Sequence, residues 1–362
     1  APYRNCYLKS TVTGSGTLQI NIPYVREYIQ GNWSGFNGRI IANANTSGNL
    51  FLLNNNLKID NGVVELKNGA RCVGWDTNGA YTLGGLSGVS GTQLCGSSKQ
   101  TNGFNCTWTI GTANTDETFA GVINNYSCSG SGHQGTTNII KAGTGDWTLT
   151  GANEYSGTTT INGGRLVVNG SKTGAGAVTV NADATLAGTG SVSGAVSVKK
   201  DGIIYAGDNT ILNRKTLTFA GKLSVSIGGQ ITIPVSYVNG LLKSNYIGLN
   251  GGATFANAKL NLDGSSAFED GQKIRIFLLG TTKPSGSIAS IYPETPGEGL
   301  EWDKSELFTT GFLLVKPSAT AIDTISMGGT KENKIYDLNG LAVSVAADGI
   351  VIRGGKKFLH KK

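Results

Sequence analysis

The sequence predicts an all-β chain: a β-solenoid followed by a small C-terminal β meander. Three observations carry that expectation. Gly accounts for 55 of 362 residues while charged residues make up only 15 %, about half to two thirds of the usual charged share. Thr, Ser, Asn, Val and Ile dominate the rest, and these are strand and turn formers. Third, a short pattern recurs at near-constant spacing. Thr158–Val168 (TTTINGGRLVV), Ala177–Ala187 (AVTVNADATLA) and Ala195–Ala206 (AVSVKKDGIIYA) each read as strand, tight break, strand.

The repeat sets the register expected in the middle of the chain. Aligning Ile161 with Val180 and Val198 gives steps of 19 and 18 residues. Aligning Leu166 with Leu186 and Ile204 gives 20 and 18. Units of this length made of short strands and Gly/Asn/Asp turns are solenoid rungs. Ile161, Val180 and Val198 should face inward, with the intervening Thr and Ser outward. No rung buries its apolar face alone, but a stack buries a continuous column. About fourteen rungs at roughly 4.8 Å each would make a rod of about 70 Å.

The elements before the repeat have the same texture. Asn49–Leu53, Leu57–Asp60 and Val63–Lys67 are short strands, followed by Tyr81–Leu86, Thr107–Ile110, Thr118–Ile123 and Asn138–Ala142. Insertions near Ser97–Asn105 and Ser127–Thr137 read as loops. Ile22–Ile29 is the one helix-like stretch, and its Pro23 and Val25 favour strand or turn. After the repeat come Lys215–Phe219, Lys222–Ile227 and Gln230–Tyr237. Lys273–Leu279 then reads as one strong strand, and Pro284, Pro293 and Pro296 mark an irregular connection before Leu300–Leu307 and Gly311–Val315. These last segments are expected to cap the open end of the stack, whose edge would otherwise pair with other molecules. The expected organisation is 1–142, an N-terminal solenoid part with Cys-bearing loops; 143–269, the repeat-containing solenoid; 270–317, last rungs and cap; 318–333, a linker; and 334–362, a C-terminal β domain with turns at Asn339-Gly340 and Gly354-Gly355.

The net charge is +7, and residues 331–362 hold seven basic against three acidic side chains, so the excess lies mainly in the tail. That is a solvated terminal element rather than a nucleic-acid motif, and no nucleic-acid partner is expected. No apolar run reaches the ~18 residues of a transmembrane segment. No signal peptide is visible at Ala1; an export signal and further upstream domains are expected to have been cut away. Five Cys make complete internal pairing impossible. Cys72 with Cys95, and Cys106 with Cys128, are candidate bridges, with Cys6 spare. No C-x-x-C pair suggests zinc.

Candidate chemistry is sparse. Asp183, Asp201 and Asp208, near Lys199, Lys200 and Arg165 in sequence, are the candidate carboxylate cluster of a polysaccharide-degrading site. Asp183 and Asp201 are 18 apart, one rung, and read as solvated corner residues. His133 sits in a Gly/Ser loop. Trp33, Trp75 and Tyr81 are candidate glycan-stacking rings. No cofactor is expected, and no motif supports a Ca²⁺ site.

The segment GTGDWTLTGANEYSGTTTINGGRLVVNG, Gly143–Gly170, resembles the autotransporter-associated, or passenger-associated transport, repeat through Trp147, Gly151, Tyr155, Gly157, Gly163 and Gly164. The resemblance implies a right-handed parallel β-helix of the kind found in passengers of bacterial surface proteins. Gly299–Val315, with Trp302, is similar to the closing segment of such proteins. The tail KIYDLNGLAVSV…GIVIRGGKKFLHKK resembles C-terminal domains of secreted Bacteroidetes proteins, with Leu341-Ala342 and Val351 departing from the pattern. Together these imply a secreted or cell-surface chain: a non-catalytic adhesin, stalk or scaffold whose partner is a polysaccharide or a host or bacterial surface protein. The competing expectations are a polysaccharide-degrading β-helix enzyme and a glycan-binding module of a larger enzyme. The oligomeric state is not legible.

Overall fold

A computed structural model describes residues 5–318 apart from 23–25, 47–48, 55, 77, 98–102, 126–134, 209–214 and 265–266, together with four strands near the C-terminus. The backbone forms two compact units, residues 1–316 and 317–362. Among the described residues every regular element is a strand.

The first unit is a parallel β-helix, with three sheets running along it. The rungs aligned by sequence are hydrogen-bonded neighbours: Ile161 pairs in register with Val180 and Val180 with Val198. Leu166 likewise pairs with Leu186, and Leu186 with Ile204. Each strand satisfies its backbone groups on the rungs above and below, so regular structure survives in strands as short as Ala152–Asn153. One face is built from two six-stranded sheets, the first running from Asn5–Leu8 to Val122–Ile123 and the second from Ala152–Asn153 to Phe277–Leu279. Among the described residues that face holds twelve strands, against about fourteen rungs expected. Within Ile22–Ile29, Ile22 ends the strand Thr17–Ile22 and Arg26–Ile29 is a strand.

A single apolar column fills the interior. Trp147, Leu166, Leu186, Ile204, Ile231 and Leu260 occupy successive registers of one sheet and are all buried. Two lysines interrupt such inward rows. Lys141 lies between Ile110 and Ile161, and Lys172 between Asn153 and Val192. Lys141 Nζ donates to the carbonyls of Ala142, Gly143 and Gly163 at 2.7, 3.2 and 3.2 Å. Lys172 Nζ donates to Gly174 and Gly176 at 2.8 and 2.9 Å and sits 4.8 Å from the centre of the Tyr155 ring. Each ammonium satisfies corner carbonyls from inside. Burial pulls both lysines down to about 8.

The corners explain the Gly and Asn content. A Cβ on Gly170 or Gly190 would strike the carbonyl oxygen of Gly151 or Gly170, one rung below; Gly176 and Gly194 meet Gly157 and Gly176 in the same way. Only a residue without a side chain lets consecutive rungs approach so closely. Elsewhere Asn side chains ladder from rung to rung. Asn43 Nδ2 donates to Asn21 Oδ1 at 2.9 Å, and Asn68 Nδ2 to Asn43 Oδ1 at 2.7 Å.

Lys273–Leu279 is divided rather than continuous. Lys273–Arg275 runs antiparallel to Phe312–Pro317, while Phe277–Leu279 joins the parallel stack beside Tyr246–Leu249. The break follows from two demands on adjacent residues, one sheet closing the end and another continuing the face. Phe308 stacks on Phe255 at 5.4 Å and lies 6.4 Å from Phe277, sealing the last rungs. Trp302 donates Nε1–H to the Pro293 carbonyl at 2.8 Å and meets Phe268 edge-on.

The second unit carries a four-stranded antiparallel sheet. Ile335–Tyr336 pairs on one side with Ala342–Val343 and on the other with Gly349–Arg353, which in turn pairs with Lys356–His360. The third strand therefore returns beside the first instead of following the order of a plain meander.

Candidate functional site

The solvent side of one sheet gathers much of the molecule's ion pairing and is the candidate functional surface. Side chains alternate across a strand, so each rung turns one set of residues inward and the other outward. The outward set of this sheet begins at Thr17–Ile22, beside Arg39–Ala44, and ends at Ser285–Tyr292.

Near its start, Arg39 reaches across several rungs. Its Nη2 donates to Glu117 Oε1 at 2.8 Å, and its Nη1 donates to Ser87 Oγ at 3.1 Å and Glu65 Oε2 at 3.4 Å. Lys67 pairs with the other oxygen of Glu65 at 2.9 Å. The Glu117 side chain is only 7 % exposed and fits because Gly85 has no Cβ to occupy its space. The two carboxylates share one guanidinium, an arrangement that staples rungs together.

Further along, Asp146 and Arg165 are register partners with an ion pair at 3.6 Å. The Arg165 guanidinium lies 5.1 Å from the centre of the Tyr205 ring, and its Nε and Nη2 are buried without hydrogen-bond partners. The Tyr205 hydroxyl donates to Asp263 Oδ2 at 3.1 Å. Burial and the Asp263 carboxylate push this phenol up to about 12, so it remains a donor. Tyr205, Thr232, Asn261 and Tyr292 occupy successive registers of one outward row.

The structure does not bring Asp183, Asp201 and Asp208 together as the carboxylate cluster that the competing enzyme reading needs. Asp183 and Asp201 do stack at one corner, with the Asp183 N–H donating to the Asp201 carbonyl at 3.1 Å. Both hold positive φ, 59° and 61°, as turn residues. Asp201 is paired with Lys200 at 3.4 Å and Lys259 at 3.8 Å. Asp208 sits apart, accepting from Asn169 at 3.0 Å and pairing with Lys215 at 3.3 Å. Arg165 belongs to the Asp146–Tyr205 group instead. Among the described residues, no group of three or more His, Cys, Asp or Glu is placed to hold a metal. His133 lies outside the described residues.

The aromatic candidates are corrected by burial. Trp33 and Tyr81 are each 1 % exposed, so neither ring face is open to a sugar. Trp33 Nε1 donates to the Gln30 carbonyl at 2.7 Å. Tyr81 packs on Trp108 at 4.8 Å, and its hydroxyl donates to Asp76 at 2.8 Å. Trp75 is half-buried and meets Tyr28 edge-on at 5.4 Å.

Neither expected cysteine pairing forms. Cys72 and Cys106 are buried free thiols. Cys72 faces the interior column beside Phe51, whereas Cys95 lies in a separate cluster with Val73 and Leu52. Opposite sides of a sheet keep Cys72 and Cys95 apart. Cys95 is disulfide-bonded, to neither Cys72 nor Cys106, and Cys128 lies outside the described residues, as does most of the insertion around it.

The residues of the repeat motif are structural. Trp147 points inward and donates Nε1–H to the Leu86 carbonyl at 2.9 Å. The Tyr155 hydroxyl shares a 2.7 Å hydrogen bond with Thr159 Oγ1. Gly151 and Gly157 stand in the two close-contact columns, and Gly163 and Gly164 form another corner, Gly164 with φ of 57°. Arg39, Glu65, Glu117, Tyr205, Asn261 and Tyr292 went unnoticed as a surface because the spacing between them includes unequal loops. Extending the rung alignment beyond the regular repeat is the signal that would have found the Tyr205 row.

Residues 139–168 match the model of the passenger-associated-transport repeat. Over 74 residues the chain is 39 % identical to a protein described as an adhesin autotransporter, BmaC, of Brucella suis. That stretch is 20 % of this chain, and it covers 2 % of the relative's length. The chain therefore contains a repeat associated with autotransporter passengers, and the match places it on the rungs where sequence alignment and strand register coincide.

Proposed function

We propose that this chain is a non-catalytic, exported β-solenoid displayed at a bacterial surface, where it acts as an adhesin, stalk or scaffold. The observation that carries this reading is the conversion of the passenger-associated repeat into stacked rungs: its motif residues are spent on corners and core, and the long outer faces are left to present side chains. A stiff stack suits display because each rung is held by its neighbours. The outward ionic groups are paired locally, Arg39 with Glu65 and Glu117, Asp146 with Arg165, and Asp208 with Lys215. Such pairing favours a surface that binds over one that transfers protons. The second unit, with its likeness to C-terminal domains of secreted proteins, is read as the attachment or export element.

The test is product detection on a mixed polysaccharide panel incubated with the intact chain, with and without Ca²⁺. No new reducing ends and no unsaturated products are expected. Turnover that is lost on substituting Glu65 or Glu117 would overturn the reading in favour of a β-helix enzyme.

A further inference from the structure

We propose that the outward side chains of Tyr205, Asn261 and Tyr292, with buried Thr232 in register between the first two, form a binding site for an extended, uncharged glycan chain lying along the solenoid axis; this rests on the reading of the chain as a display protein. The four residues sit on consecutive rungs in direct register. Three rung steps of roughly 4.8 Å put the two tyrosines about 14 Å apart. One sugar ring advances an extended glycan by about one rung step, so a regular scaffold can meet successive units with successive rungs, and the two tyrosines would span about three units.

The chemistry of the row suits a polyhydroxylated ligand. Tyr292 is 68 % exposed, a ring free to stack on the C–H face of a sugar. Asn261, between the rings, offers both a donor and an acceptor to paired hydroxyls. Asp263, two residues on along the same strand, adds an acceptor that already takes the Tyr205 hydroxyl. Tyr205 is held in advance by that bond and by the guanidinium of Arg165, which lowers the entropy lost on binding. Thr232 occupies the row between Tyr205 and Asn261 but is buried, accepting from Gln230 Nε2 at 2.9 Å, so the open contacts fall to Tyr205, Asn261 and Tyr292.

Charge decides against other partners. Arg165 is committed to Asp146 and Lys259 to Asp201, so the row lacks the run of unpaired cations that a nucleic acid or polyanion would need. The row is polar between its rings, unlike the apolar centre of a protein interface.

The experiment is calorimetric titration of the intact chain with oligosaccharides of two to six units derived from cellulose, mannan, chitin and polygalacturonate. Binding of an uncharged series is expected, strengthening with length up to about three or four units. Tyr292→Ala and Asn261→Ala should each weaken it at least about tenfold without moving the unfolding midpoint. Leu278→Ala, an exposed apolar site on another sheet, should leave it unchanged. No binding to any series, preference for polygalacturonate alone, or equal affinity in Tyr292→Ala would overturn the proposal. Shortening of the probes would sink the non-catalytic reading alone, and the row would still be judged by the Tyr292→Ala titration.

Discussion

The buried lysines make stability depend on pH in an unusual direction. Lys172 is 3 % exposed, and burial lowers its ammonium from 10.5 to about 8. In the unfolded chain it keeps its ordinary value. Between pH 8 and 10.5 the unfolded state therefore binds more protons than the folded state, and stability rises with pH across that window. From pH 7 to 9.5 the gain is about 2 kcal/mol for this lysine, obtained by integrating the proton difference at 1.36 kcal/mol per unit. Above pH 10 the effect is opposed, because buried Tyr155 and Tyr81 resist ionisation that the unfolded state allows. The measurement is urea unfolding of the native chain and Lys172→Met at half-unit steps from pH 7 to 9.5. The difference in unfolding free energy between them should drift by about 2 kcal/mol in favour of the native chain as pH rises. Lys172→Met also loses the bonds to Gly174 and Gly176, which offsets the two curves without tilting them. Parallel curves would refute the argument that the charged form is strained by burial.

Four further outcomes follow from packing. Gly176→Ala, whose Cβ would strike the Gly157 carbonyl, should cost about 3 kcal/mol, whereas Gly16→Ala, with open space around it, should stay within about 0.5 kcal/mol; denaturant midpoints separate them. Trp147→Phe removes the donation to the Leu86 carbonyl and should lower stability by about 1–3 kcal/mol, read by thermal unfolding. Cys72 and Cys106 should resist a thiol reagent in the native state and react on unfolding, since both are buried and burial pushes both thiols up, Cys106 to about 11; rapid native labelling of either would contradict the placement. Deleting residues 181–198, which joins the register partners Val180 and Val198 at one position, should leave a folded stack, checked by circular dichroism; loss of all cooperative unfolding would count against nearest-neighbour stabilisation.

The legible parts of the chain were those where one rung follows another without interruption. Ile161, Val180 and Val198 announce their pairing because equal loops keep equal spacing, and the register confirms it. Tyr205 and Tyr292 share a row just as firmly, yet the hairpin formed by Gln230–Val238 and Leu241–Ser244 intervenes and destroys the numerical period. Aromatic identity was a poor guide to exposure: Trp33 and Tyr81 are core residues, while Tyr292 is an open ring.

The amino-acid sequence by itself determined the all-β class, the solenoid and its inward rows, because a two-residue alternation and a fixed rung length depend only on local order. Tertiary structure alone decided which outward residues meet. Arg39 reaches Glu117 and Arg165 reaches Tyr205 across rungs whose loops differ in length, and Cys72 is separated from Cys95 by the two sides of one sheet. Those neighbours are set by stacking along the axis, a distance that sequence separation does not measure.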